Sequence, residues 1–412
     1  MKKRIYFVTL LIFMCLATAC GKKTSSSQFE TNPKANLKDM ECYKPFEEFA
    51  WIFPDIADLY APREDLLPTE PWQIEAVYPD EWRGEHNLGI EVMFSRVVND
   101  ELEIWLARPD RYLKEDIKSV LIYYPATKEW VSVADVVKGT DVFIGELFLT
   151  SDGTIWGRNV WERSDNQTES RGPIISKFNE KTMQFEFVQG VLEIPFTNSN
   201  YHAEILLDKQ DVFWFLLEGD GIYHFDPNSQ MTTKQMDLLD IYPIWATLSM
   251  DRSIYFVDHT YSKFVASGAT YGLYDGLIYQ YILDSNELVE FDIPEEPWPE
   301  GKPFVTQANH LWLGAIGYKD LNDDSWHLLH PDPSFHFELG FWSHSPSIIL
   351  ESSDGTLWFR EYFDQDVGTA WFDPRTMEGC VFTNVEADIV EDERNQLWMF
   401  ADGKLYRLAL DD

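Results

Sequence analysis

Apolar and polar residues alternate over short stretches, with turns between them, along most of this chain. No segment of 12 or more residues keeps the periodicity of an amphipathic helix. Short alternating runs bounded by Gly, Asn, Asp and Pro are typical of β-strands. The pattern therefore predicts an all-β protein of many short strands.

One hairpin motif recurs through the chain. Residues 353–358 read Ser-Asp-Gly-Thr-Leu-Trp, and residues 151–156 read Ser-Asp-Gly-Thr-Ile-Trp. Asp-Gly between two apolar runs favours a tight turn, because glycine adopts positive φ without steric cost. Looser copies end at other aromatic residues, which gives seven anchors: Trp105, Trp156, Trp214, Tyr255, Trp312, Trp358 and Trp398. Their spacing of 40 to 58 residues is typical of four-stranded propeller blades.

A second family of turns lies between the anchors, in the same phase. Examples are 225–228, Phe-Asp-Pro-Asn, and 372–375, Phe-Asp-Pro-Arg. Two interleaved turns give each blade four strands, named a to d from the axis outward. The seventh blade has candidates for strands a to c only, and we expect residues 72–78 to supply its strand d. The prediction is a seven-bladed β-propeller over 72–412, with its ring closed by an N-terminal strand.

The repeated motif resembles the two-component-regulator propeller repeat. Residues 354–361, Asp-Gly-Thr-Leu-Trp-Phe-Arg-Glu, also resemble the related repeat of streptogramin lyases. The resemblance covers about residues 72–410 and implies a propeller fold, on which many unrelated functions occur. For the regulators it implies an extracytoplasmic sensor. For the lyases it implies a His and a Glu near the axis with a divalent metal, and no such pair of this chain aligns.

The N-terminal residues are typical of an export signal. Three basic residues precede an apolar run at 5–16, and Ala-Thr-Ala-Cys at 17–20 resembles the bacterial lipobox. We expect a lipoprotein signal peptide at 1–19, a lipid on Cys20 that anchors the chain to a membrane, a disordered tether at 20–39 and a lead-in packed on the propeller at 40–71. An ordinary secretory peptide is the alternative. We expect the lipid-anchored protein in the cell envelope, on the extracytoplasmic side of a membrane.

The charge of the chain limits the classes of partner. The formal net charge of −37 argues against nucleic acid as a partner.

After processing, Cys42 and Cys380 are the remaining thiols. We expect them to form a disulfide in an oxidising compartment, with two free thiols as the alternative.

The connections between strands b and c are long in blades 1, 2 and 4 and of medium length in blade 6. Propeller topology puts them on one face, and long loops on a rigid scaffold often carry binding groups. The candidate binding residues on this face are Arg108, Arg158, Trp161, His259, Arg360 and Tyr362. Arginine beside aromatic residues suits a carbohydrate, an anionic ligand or a protein partner. The alternative is that these arginines pair with nearby carboxylates.

The sequence offers little support for catalysis or metal binding. The segment 320–331 begins like a calcium loop but has Ser325 and Pro331 where glycine and glutamate are needed. The histidines at 327, 330, 336 and 344 are not spaced to converge, and a solvated loop is the simpler interpretation. We predict no metal and no cofactor. The expected function is that of a monomeric, non-catalytic binding module, and the alternative is a lyase or hydrolase with an axial site.

Overall fold

The computed structural model describes residues 44–45, 72–79, 91–107, 120–133, 137–138, 140, 142–161, 171–195, 203–250, 252–258, 277–291, 302–313, 317–328, 344–362, 367–376, 378–383, 387–401 and 403–408. They lie in one compact unit, Asn36–Ala409. These residues form 31 β-strands and, within the described ranges, no helix. None of them belongs to a helix long and apolar enough to cross a membrane.

Two strands precede the blades, β1 (Lys44–Pro45) and β2 (Trp72–Val77). Blade 1 contains β3 (Glu91–Val98), β4 (Glu101–Ala107), β5 (Val120–Tyr124) and β6 (Glu129–Ser132). The chain continues with β7 (Val142–Leu149), β8 (Ile155–Trp161), β9 (Arg171–Pro173), β10 (Ile175–Asn179), β11 (Gln184–Glu186) and β12 (Glu193–Pro195). Strands β7, β8, β10 and β11 form blade 2. Blade 3 contains β13 (Ala203–Leu207), β14 (Phe213–Leu217), β15 (Gly221–Asp226) and β16 (Met231–Asp237).

Blade 4 contains β17 (Pro243–Leu248), β18 (Ser253–Asp258), β19 (Leu277–Ile282) and β20 (Glu287–Phe291). Blade 5 contains β21 (Pro303–Val305), β22 (His310–Leu313), β23 (Gly317–Asp320) and β24 (Ser325–Leu328). Blade 6 contains β25 (His344–Glu351), β26 (Leu357–Tyr362), β27 (Val367–Asp373) and β28 (Glu378–Thr383). Blade 7 contains β29 (Ala387–Glu391), β30 (Leu397–Ala401), β31 (Lys404–Leu408) and β2. The predicted seven-bladed β-propeller is confirmed.

Strand β2 closes the ring as the outer strand of blade 7. It runs antiparallel to β31, with Trp72 opposite Leu408 and Val77 opposite Lys404. The ring of Trp72 packs edge-on against Trp358 of blade 6, at 5.9 Å between centroids. The predicted closing strand is therefore confirmed, and its first residue also joins blade 7 to blade 6.

The seven anchor aromatics form the core between blades. All are buried, from Trp105 in blade 1 to Trp398 in blade 7. Each lies where it meets a neighbouring sheet: Trp105 contacts Phe178 of blade 2 at 5.3 Å between ring centroids, and Trp214 contacts Tyr281 of blade 4 at 6.1 Å. Large aromatic rings fill the wedge-shaped space between twisted sheets, which explains why the repeat requires them.

The turn between strands a and b is closed by the residue six positions before the anchor. Ser352 donates its hydroxyl to the carbonyl of Thr356 at 3.1 Å. Aspartate occupies the same place in two blades. The Asp392 carboxylate accepts the backbone N–H groups of Arg394 and Gln396, and Asp208 holds its own turn in the same way. The repeat therefore includes a polar residue that the spacing of the anchors did not reveal.

Polar contacts on the face of the a–b turns join successive blades. The Ser151 backbone N–H donates to Asp211 of blade 3, and that of Ser353 donates to Glu391 of blade 7. Arg96 of blade 1 is the most connected of these groups: it contacts Glu103 of its own blade at 2.7 Å and Glu180 of blade 2 at 2.8 Å.

Two features of the fold were not predicted. Strands β9 and β12 pair with each other as a separate two-stranded ribbon beside blade 2. Strand β1 adds a fifth strand outside blade 6, with Pro45 opposite Cys380. Residues 1–19, the tether 20–39, Cys20 and Cys42 lie outside the described residues, so the predictions made for them stay predictions.

Candidate functional site

The seven strands a surround the axis of the ring. Several neighbouring ones contact each other, as β3 does with β7, β13 with β17 and β17 with β21. Each lies between the two adjacent blades of the ring. A side chain of such a strand that remains exposed therefore faces the axial channel or one of its mouths.

Bulges interrupt the pairing of several of these strands. In β7 the register shifts between Ile144 and Leu147, and in β17 it shifts between Ile244 and Ala246. Strands β3 and β25 carry similar irregularities. A bulge leaves its extra residue unpaired and redirects the side chain, and bulges are common beside binding sites. In β7 the shift falls at Gly145 and Glu146, and in β17 it falls at Trp245.

Trp245 combines backbone strain with exposure. Its φ is +50°, in the left-handed region that a bulky residue rarely occupies. Its side chain is 37% exposed, unlike the buried anchor aromatics. Strained residues that persist in a fold are concentrated at functional sites, so observed strain at a residue suggests a functional role for it. Trp245 is therefore the first candidate for direct contact with a ligand.

Glu146 and Arg158 form a loose ion pair beside the bulge of β7. Glu146 Oε2 and the nearer guanidinium nitrogen of Arg158 are 3.6 Å apart, and the side chains are 38% and 31% exposed. Enclosure by the surrounding blades raises the pKa of the Glu146 carboxyl, and the positive charges of Arg158 and Lys302 oppose that rise. Lys302 directly precedes β21 of blade 5, whereas Glu146 lies in β7 of blade 2.

Glu204 brings a second carboxylate to the same place. Its negative charge acts on Glu146 and contributes to the raised pKa of that carboxyl. One of its oxygens accepts the backbone N–H of Ala246 at 3.5 Å, directly after Trp245. Among the described residues, neither Glu204 nor Lys302 forms an ion pair.

We define the axial site as Glu146, Arg158, Glu204, Trp245 and Lys302. Four of the five lie in or just before strands a of blades 2 to 5. Glu204, Trp245 and Lys302 lie near the beginning of their strands, where strand a enters from the d–a connection. In an antiparallel blade this end lies on the same face as the b–c connections. The pairing of β9 with β12, one from each kind of connection, shows that this is so.

Of the predicted binding residues, Arg158 and Arg360 are described in full. They occupy the same position of the repeat, two residues after Trp156 and Trp358. Both were predicted to lie on b–c loops, and this was wrong: they lie within β8 and β26, because strand b continues well past its anchor along a long strand a. Arg158 belongs to the axial site.

Arg360 has a different environment. Its guanidinium forms an ion pair with Asp388 of blade 7, and the two side chains are only 11% and 12% exposed. This buried pair joins two blades. The pairing of arginines with carboxylates, weighed as an alternative from the sequence, thus occurs for both described arginines. Despite this pairing, Arg158 remains accessible, whereas Arg360 is largely covered.

The other predicted binding residues are less informative. Trp161 and Tyr362 are the last residues of β8 and β26, and nothing is described of their side chains. Arg108 and His259 lie outside the described residues. The sequence missed Glu146, Glu204, Trp245 and Lys302. Acidic and aromatic residues near the start of a strand do not indicate from sequence that the strand contains a bulge.

A stack of three rings crosses blade 5. Tyr318 lies between His310 and His327, with ring centroids 4.4 Å and 4.8 Å apart and nearly parallel planes. The prediction of a loop was wrong for His327 and His344, which belong to β24 and β25. His330 and His336 lie outside the described residues. Among the described residues, no group of three or more His, Cys, Asp or Glu is arranged to hold a metal ion.

Three solved structures illustrate what this chain is similar to. The extracellular domain of a hybrid two component system from B. thetaiotaomicron is 11% identical, with a TM-score of 0.49 over 80% of this chain and 40% of that domain. The extracellular domain of a one component system from B. thetaiotaomicron is 12% identical, with a TM-score of 0.33 over 80% of this chain and 54% of that domain.

A chain of the Mitotic Checkpoint Complex is 9% identical, with a TM-score of 0.46 over 85% of this chain and 94% of its own length. This chain thus matches about half or less of the two bacterial domains. No family model matches the chain. No curated protein matches it. The fold is therefore assigned from the strand pairing of the chain itself, and function must be argued from the site.

Proposed function

We propose that this protein is a non-catalytic binding module that takes its ligand at the axial site, on the face of the b–c connections. The observation that carries the proposal is Trp245. Trp245 combines a strained backbone with an exposed ring, and it belongs to none of the core clusters of the described residues.

The polar groups around Trp245 support the proposal. A small-molecule site pairs an apolar surface with a few placed polar groups, and the axial site has that composition. Arg158 contributes a guanidinium on a side chain that is 31% exposed, and its partner Glu146 lies beyond ideal hydrogen-bond distance at 3.6 Å. The candidate residues Arg108, Trp161, His259 and Tyr362 would extend the site along the b–c connections, for a carbohydrate, an anionic ligand or a protein.

A ligand screen by thermal shift tests the site. The mature protein is screened against sugars, amino acids, short peptides and inorganic anions, together with the variant Trp245→Gly. Glycine accepts positive φ, so this variant removes the ring and relieves strain rather than adding it. We expect a ligand that raises Tm in the wild type but not in Trp245→Gly.

Met231→Ala is the matched control, because Met231 is an exposed apolar residue of an outer strand, far from the axis. It should respond to the ligand as the wild type does. A ligand whose effect on Tm is the same in Trp245→Gly would place the binding site elsewhere.

The envelope location is a separate part of the proposal. We propose that a lipid on Cys20 holds the propeller at the extracytoplasmic face of a membrane, with residues 20–39 as tether and 40–71 as lead-in. Cys20→Ser should release the protein from the membrane fraction or leave the unprocessed form. Unchanged fractionation and unchanged size would contradict the anchor.

A further inference from the structure

The axial site places charges of opposite sign around one tryptophan. Blade 3 contributes the carboxylate of Glu204, blade 4 contributes Trp245, and blade 5 contributes the ammonium of Lys302. The backbone of β17 fixes this order, because the N–H of Ala246, next to Trp245, donates to Glu204 at 3.5 Å. Taken in blade order, these three residues therefore form an arc around the axis. It runs from a negative group, across an aromatic ring, to a positive group.

The two charges at the ends of the arc lack ionic partners. Among the described residues, neither Glu204 nor Lys302 lies within ion-pair distance of an opposite charge, whereas Glu146 and Arg158 already face each other at 3.6 Å. Lys302 directly precedes β21, its side chain is exposed, and β21 contacts β17, the strand of Trp245. A ligand that enters the channel meets both signs of charge.

From this arrangement we propose that the axial site binds a short zwitterion, a free amino acid or a short unblocked peptide, with its ammonium at Glu204 and its carboxylate at Lys302. The inference rests on the proposed function and names the class of ligand.

Other ligand classes match the charges less well. An anion would face the carboxylates of Glu204 and Glu146, and a cation would face Lys302 and Arg158. A neutral sugar would displace water from Glu204 and Lys302 without supplying a counter-charge, and such desolvation is costly. A zwitterion supplies one partner to each. The net charge of −37 on the whole chain further opposes a free anion.

Trp245 lies where the body of such a ligand would rest. Its ring offers a flat apolar surface for an aliphatic or aromatic side chain, and its negative face also attracts an ammonium group. Arg158, whose side chain is 31% exposed, already faces Glu146 in blade 2 and is not assigned to either end of the ligand. The ligand should therefore prefer an apolar side chain between two charged ends.

Calorimetric titration of the mature protein tests the proposal directly. The probes are the free amino acids and a set of dipeptides, each unblocked, N-acetylated and C-amidated. We expect one or more unblocked compounds with apolar side chains to bind. Either block should weaken binding by at least about tenfold, which corresponds to about 1.4 kcal/mol.

Two variants connect each end of the ligand to its residue. In Glu204→Gln, the unblocked and N-acetylated compounds should bind with similar affinity, because the ammonium has lost its partner. In Lys302→Gln, the unblocked and amidated compounds should become similar. Glu129→Gln changes an exposed charge on the outer strand of blade 1, and Lys209→Gln changes one in the a–b turn of blade 3, on the opposite face. Both should bind as the wild type does. Unchanged Tm values establish that the variants are folded.

The possible failures are distinguishable. If no amino acid or peptide binds while another ligand binds in a Trp245-dependent way, the proposal of a zwitterionic ligand is overturned and the proposed function stands. If zwitterions bind equally well to Glu204→Gln and Lys302→Gln, the assignment of the two ends is overturned. If no probe of any class depends on Trp245, both proposals fail.

Discussion

The carboxylate of Asp392 accepts the indole N–H of Trp398 at 3.0 Å, while its other oxygen accepts two backbone N–H groups of the turn between them. Asp208 and Trp214 repeat this relationship at 2.9 Å. In blade 6 a serine takes the place of the aspartate, and the Trp358 indole lies 3.4 Å from its hydroxyl. One side chain thus holds both the turn and the anchor of the blade.

This relationship predicts the outcome of two substitutions at Asp392. Asp392→Ala should lower the free energy of unfolding by about 1–3 kcal/mol, because it leaves the buried indole N–H without an acceptor. Asp392→Ser should cost less, since Ser352 performs the same task in blade 6. Urea denaturation of the two variants checks this, and equal losses would contradict it.

Closure of the ring predicts different effects for two residues of β2. Trp72 is 4% exposed and packs on Trp358 and Phe382 of blade 6, whereas Ile74 of the same strand is 58% exposed. Trp72→Ala should cost about 3–5 kcal/mol, as expected for a large core residue. Ile74→Ala should change Tm little. A small effect of Trp72→Ala would mean that closure contributes little to stability.

Arg96 should be a major contributor to the contact between blades 1 and 2. Its side chain is nearly covered and pairs with the equally covered Glu103, whereas Glu180 is mostly exposed. Arg96→Ala should cost about 3–5 kcal/mol, because Glu103 would stay buried without its counter-charge. Glu180→Ala should cost no more than about 1 kcal/mol. Thermal denaturation of both variants would test this, and the reverse order would contradict it.

The ring stack of blade 5 predicts a pH dependence. Burial lowers the pKa of His310 below its usual 6.5, with His327 acting in the same direction and Asp320 against it. The unfolded chain then binds the proton more readily, so the stability from neutral His310 is present above about pH 6.5 and is lost as the pH falls below that value. His310→Gln should reduce the drop in Tm between about pH 7.5 and about pH 5.5. An unchanged drop would rule out this contribution.

The disulfide between Cys42 and Cys380 stays a prediction. Strand β1 brings the chain next to Cys380, and counting free thiols tests the bond. Pro45, three residues after Cys42, lies opposite Cys380. The oxidised, denatured mature protein should show no free thiol before reduction and two after it. Cys42→Ser and Cys380→Ser should each show one free thiol without reduction. Two thiols in the unreduced wild type would disprove the bond.

The sequence predicted the blades because their determinants are local. Trp156 and Trp358 follow Asp-Gly turns that are recognisable in the sequence. The wedge-shaped space between neighbouring sheets requires such large buried rings. The closing strand was predicted from the lack of a fourth strand in blade 7. These features depend on periodicity and on the avoidance of open sheet edges.

The axial site could not be predicted in the same way. It depends on which strands a bulge, and Trp245 has no neighbouring glycine or asparagine to indicate positive φ. Arg158 and Arg360 are identical in their repeat position, yet one is accessible and the other covered, because their carboxylate partners come from different strands. Such convergence depends on the three-dimensional packing of several blades.

The pairing of β2 with β31 also bears on how the chain assembles during folding. A chain that emerges N-terminus first holds β2 unpaired until the partner strand of the last blade has appeared, and such distant pairing is slow to form. During that interval, blade 7 of one molecule can accept β2 of another when the protein concentration is high enough to compete with its own β2. Refolding at high concentration should therefore produce strand-exchanged dimers whose blades are all complete, and dilution before refolding should suppress them.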